Sequence, residues 1–192
     1  MVHPFDESAR LRLESMPGLP ALLDAAVDAA VDAPVDALVE RPRPEPDSRP
    51  AVRRLLPAIC EAFGIAEPAL DLETGDLIDH LAPDEIEAVL AHECGHVLLG
   101  HVAYRRLVDH PAVPVPVRGA LAAWARAAEL SADRAAAAYQ GGADAITRVL
   151  FRLAGAAASV PEARAFAVRV REIQAWTATP AFARLRPAAR RS

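Results

Sequence analysis

Residues 84–108, DEIEAVLAHECGHVLLGHVAYRRLV, carry His92, Glu93 and His96 inside a run that is apolar on nearly every side between positions 86 and 102. A helix apolar all round belongs inside a core. Ionisable groups buried there must be paired or hold a metal, because an unpaired buried charge is costly. This requirement constrains the chain more than any other feature. The pattern predicts one helix over 84–108, opened by Pro83 at its first position, with Asp84 and Glu85 where the helix dipole favours negative charge. Residues four apart share a helix face, so His92 and His96 can offer two imidazoles to one metal ion. Glu93 falls beside them, placed to act as a base toward a water that the metal activates.

A chain of 192 residues suits one domain with appended segments. Alanine and leucine dominate, aromatic residues make up 5%, and no convincing period-two strand is found, so the expected class is mainly α. Every basic side chain is arginine, and the net charge of -5 gives no clustered positive surface for nucleic acid outside the arginines at 184–191. The opening MVHPFDES lacks the apolar core of a secretory signal, and no uncharged apolar stretch is long enough to span a bilayer. A soluble, cytoplasmic protein is expected, with Cys60 and Cys94 as free thiols. Cys94 lies two residues from His92, hence on another side of the helix, where it packs rather than ligates.

The organisation reads as an N-terminal helical region (1–40), a proline-rich linker (41–50), the main domain (51–176) and an irregular basic tail (177–192). Within 1–40, residues 5–16 suit a short helix ended by Pro17-Gly18. Residues 19–40 repeat a four-residue unit that aligns Asp24, Asp28, Asp32 and Asp36 in one stripe, a solvated face of an amphipathic helix interrupted by Pro34. A helix over 51–63 stops at Gly64. An extended segment is expected around 69–72 and a turn at Thr74-Gly75. Pro111, Pro114 and Pro116 mark a loop, 118–139 a strong helix closed by Gly141-Gly142, and 143–159 and 161–176 two more helices.

A catalytic zinc ion takes three protein ligands and leaves one position open. His101 stands five residues after His96, so on a continuous helix it points away from the metal, toward the core or the groups behind the ligands. Glu129 is the better third ligand, because an antiparallel helix after the proline loop returns it to the histidines. Asp133, one turn later on the same face, can accept the N–H of a ligating histidine and fix its tautomer. Leu121, Trp124, Ala125 and Ala128 make the surrounding face apolar. Tyr139, His110 and Arg126 are candidates for stabilising an oxyanion.

EAVLAHECGHVLLGH followed by ELSADRAA is similar to the HtpX-like and CAAX prenyl protease family of gluzincin zinc metallopeptidases. Glu87, His92, Glu93, Gly95, His96, His101, Glu129, Ala132, Asp133 and Arg134 match the family pattern, and the resemblance spans about residues 51–155. It implies Zn²⁺ held by His92, His96 and Glu129, with Glu93 as general base in a soluble endopeptidase acting on polypeptides. The expected fold is a minimal zincin-like helical core with little or no β-sheet. One departure stands out: the family's strand pair with an Asn-Ala motif has no counterpart here, since the chain contains no asparagine. Such a strand holds substrate by main-chain pairing. Its loss raises the alternative of a zinc-binding module, weak or inactive in proteolysis, that acts through protein contacts.

Overall fold

The computed structural model describes residues 1–16, 19, 50–68, 80–108 and 113–185, and every regular element among them is a helix. In chain order these are α1 (Pro4–Glu14), α2 (Pro50–Phe63), α3 (Pro83–Leu98), α4 (His101–Val108), α5 (Val115–Gln140), α6 (Asp144–Ala156), α7 (Val160–Thr177) and α8 (Pro180–Leu185). The mainly α class is therefore as composition implies. The aspartate stripe from Asp24 to Asp36, the linker over 41–49, the extended segment at 69–72, the turn at Thr74-Gly75 and the end of the basic tail lie outside the described residues. No described helix is long and apolar enough to cross a membrane.

The 26-residue α5 is the axis on which α1, α3, α4, α6 and α7 pack, while α2 packs on α3 and α8 on α7. Its first half shares an apolar core with α1 and α4, built from Leu13, Leu107, Leu121 and Trp124. Its last turns, at Ala136 and Ala137, join a second core with α2, α3, α6 and α7, including Ile59, Leu90, Leu150 and Ile173. Glu129, Ala132 and Asp133 fall between the two. The seam between two cores is thus where α5 presents its carboxylates to α3.

Local sequence explains how closely α3 and α5 approach. Pro83 opens α3, where its missing N–H is not needed, and the Glu85 carboxylate accepts the Ala82 N–H at 2.9 Å. Glu85 is itself buried and is met by Arg148 at 3.2 Å and Arg152 at 3.4 Å. Gly95 faces α5 so closely that a Cβ there would sit 2.7 Å from the Ala135 Cβ. Glycine on one helix and alanine on the other are what allow the faces carrying His92, His96 and Glu129 to meet.

The structure corrects the sequence reading at four points. The single helix expected over 84–108 is two: α3 ends at Leu98, Gly100 adopts φ +71, and α4 starts at His101. Glycine takes this left-handed conformation without the clash a Cβ would cause, so it turns the chain where the apolar pattern alone reads as continuous. The loop expected to include Pro116 ends earlier, because proline in a first helical turn removes no hydrogen bond. The helix expected over 143–159 closes at Ala156, before the extended Ala157. The tail begins with a short helix, α8, whose Phe182 packs against Trp176 with ring centres 5.0 Å apart.

Candidate metal centre

His92 and His96 lie one turn apart on α3, and their Nε2 atoms are 3.2 Å from each other. Glu129 reaches across from α5, placing Oε2 3.3 Å from His92 Nε2 and Oε1 3.4 Å from His96 Nε2. These ligand atoms all lie within 4.8 Å of one another, a grouping that could hold a metal ion. With metal–ligand bonds of about 2.0–2.1 Å, adjacent ligands of a tetrahedral zinc site stand about 3.3–3.4 Å apart. The closest approaches of 3.2, 3.3 and 3.4 Å, the last two to different oxygens of Glu129, come near that spacing, so these residues suit zinc.

Both histidines are buried, while Glu129 keeps 28% side-chain exposure. Burial works to lower the pKa of His92, yet Asp133 and Glu129 beside it outweigh that and push it up to about 9. Burial dominates at His96 and, with the neighbouring His92, holds it below the usual histidine range. Burial also opposes ionisation of Glu129, but hydrogen bonds from the two histidines and the charge of Arg169 keep its carboxyl well below the usual carboxylate range.

Asp133, 1% exposed, stands behind His92, with Oδ1 3.0 Å from Nδ1. The distance is that of a hydrogen bond but the direction is poor, and Nδ1 has no well-aligned partner. Asp133 is already engaged by Arg169 of α7, which donates from Nε to Oδ2 at 2.8 Å and from Nη2 to Oδ1 at 2.7 Å. The third nitrogen of the same guanidinium lies 3.0 Å from Glu129 Oε2. Arg169 therefore ties the carboxylate behind one histidine to the carboxylate beside both. The sequence reading missed it, since no spacing rule separates Arg169 from Arg164 or Arg171 on the same helix.

Glu93 is half-buried and opens on a cavity of about 160 Å³ with His92, Glu129, Ile146, Val149 and Arg169 on its walls. A second cavity, of about 340 Å³, reaches His96 and Glu129 from the side of His101, Arg105 and Arg126. His101 is buried, with Nδ1 2.8 Å from His96 Nδ1. The break at Gly100 brings it back behind the ligand. Of the oxyanion candidates, Arg126 lines the cavity at Glu129, Tyr139 packs edge-on against Phe63 at 5.8 Å, and His110 lies outside the described residues. Cys94 and Cys60 are free thiols buried against each other, 4.0 Å between sulfurs, and burial pushes the Cys94 thiol up to about 12. Cys94 is thus a packing residue.

The family model of Peptidase family M48 matches residues 72–115, which carry both histidines and Glu93. The plastoglobule-localized metallopeptidase 48, chloroplastic, of Arabidopsis thaliana is 34% identical over 98 residues, covering 45% of this chain and 28% of the relative. The chain thus spans under a third of the length of that curated relative. No solved structure matches it.

Proposed function

We propose, from the match of residues 72–115 to peptidase family M48 and the likeness to a metallopeptidase 48, that this chain is a zinc-dependent endopeptidase with His92, His96 and Glu129 as ligands and Glu93 as general base. The observation that carries this reading is the convergence of His92 Nε2, His96 Nε2 and the Glu129 carboxylate, with closest approaches of 3.2, 3.3 and 3.4 Å. Bound zinc supplies Lewis acidity, which makes a water nucleophilic near neutral pH and polarises the scissile carbonyl. Glu93 shares its cavity with His92 and Glu129. Its carboxylate takes the proton from water as the new C–O bond forms, then gives it to the leaving nitrogen as the C–N bond breaks.

The remaining groups set the stage for that transfer. Asp133 beside Nδ1 favours the His92 tautomer whose Nε2 lone pair faces the metal. Arg169 separates two carboxylates that would otherwise repel in a poorly solvated place. Ile146, Val149 and Leu150 form an apolar wall opposite Glu93, suited to a nonpolar side chain of a peptide.

Metal content and hydrolysis of casein or a peptide library, each compared with Glu93→Gln, test the reading. The expected result is about one zinc per chain in both proteins and cleavage by the unaltered protein alone. A chain without zinc, or equal cleavage by the variant, overturns the catalytic role. Zinc without any cleavage supports the alternative of a binding module.

A further inference from the structure

The groups behind His96 lead out of the α3–α5 pair altogether. If His96 Nε2 is to meet the metal, its proton must sit on Nδ1. That nitrogen is 2.8 Å from His101 Nδ1, so His96 donates and His101 Nδ1 must be the bare acceptor. The proton of a neutral His101 is then on Nε2, which lies 3.1 Å from Asp6 Oδ2 on α1. The Ser131 hydroxyl donates to the same oxygen at 2.6 Å, and its own oxygen accepts the backbone N–H of His3 at 2.9 Å. Each donor is used once in a consistent direction, and Asp6 Oδ2 accepts two of them. His96, His101, Asp6 and Ser131 are each no more than 4% exposed. Trp124 meets the His101 ring edge-to-face at 5.6 Å and fills the space beside it.

A carboxylate is a poor choice if α1 needs only an anchor. Burying a charge carries a penalty that an apolar side chain avoids, and Leu13 of the same helix already docks in the core with no exposure. We propose that α1 is an integral part of the metal centre: Asp6, acting through His101, fixes the tautomer and orientation of His96 and so sets how tightly zinc is held. Asp6 touches neither metal nor substrate and is a positioning residue. It lies far outside the family-matched segment 72–115. The inference rests on the zinc-site reading above.

Zinc affinity, measured by competition with a chelator, tests it in the full chain, Asp6→Asn, His101→Gln and the double variant. Each single change is expected to weaken zinc about 10–100-fold, and the double variant to be no worse than the weaker-binding single one. Unchanged affinity in Asp6→Asn, or losses that multiply in the double variant, overturn the relay while leaving the metal site standing. A full chain that binds no zinc removes the site and the relay together. Long-range proton–nitrogen NMR spectra of the zinc-loaded full chain decide the matter even if Asp6→Asn does not fold. They should show the proton on Nδ1 of His96 and on Nε2 of His101, and a proton on Nδ1 of His101 overturns the proposal.

Discussion

The two histidines of the centre are supported in different ways. His92 has its carboxylate directly behind it, supplied by Asp133 from the same helix as Glu129. His96 reaches its carboxylate through an intermediary, His101, and that carboxylate belongs to a helix more than eighty residues earlier in the chain. The shorter arm is the less well aligned. Asp133 must also serve the planar fork of Arg169, and its oxygens are oriented by that bidentate contact rather than by the imidazole. Asp6 is held by no such bidentate fork among the described residues, and its donors His101 and Ser131 converge on one oxygen. The difference teaches that one carboxylate cannot neutralise a buried cation and aim at a ligand equally well. The His92 arm is built for charge balance and the His96 arm for direction.

Removing the charge-balancing arm should have the largest effect. Arg169→Met leaves the partly buried Glu129 and the buried Asp133 without their shared cation. The expected loss is about 3–5 kcal/mol of folding stability in metal-free protein, read by urea denaturation, and less with zinc present because the metal neutralises Glu129. A similar loss with and without zinc would break the proposed division of labour. Chelation tests both arms together. If the protein is saturated at about 1,000 times its dissociation constant, metal removal lowers stability by about 4 kcal/mol, or about 8–16 °C in melting temperature. An unchanged melting temperature would show that α3 and α5 are not tied through a metal.

The histidines also differ in titration, His92 being raised to about 9 and His96 lowered. Below that value metal-free His92 carries a proton that zinc must displace, whereas His96 is already deprotonated. Zinc affinity should therefore rise with pH, by about tenfold per unit between 6.5 and 9, and level off above it. A flat profile over that window would remove the asymmetry. The smallest effect is expected where the two arms share a backbone. Gly95→Ala forces a Cβ against Ala135, and the overpacking outweighs the gain in helix propensity to give a net loss of about 1–2 kcal/mol. Equal or greater stability of this variant would show that α3 and α5 can separate at no cost.

Much of the centre was legible because helical spacing is local. His92, Glu93 and His96 needed only a 3.6-residue period, and Glu129 with Asp133 needed one further helix folding back after a proline-marked loop. His101 was legible as a residue and not as a contact: its direction depends on the left-handed turn at Gly100, which apolar periodicity does not register. Arg169 and Asp6 carried no signal, since each resembles the solvated charges around it. The sequence alone determined which groups could bind a metal and which could take a proton, because these follow from residue type and helical repeat. Only the tertiary structure decided what stands behind each ligand, because α1 and α7 approach the site through the packing of two apolar cores, and burial rather than spacing makes those charges part of it.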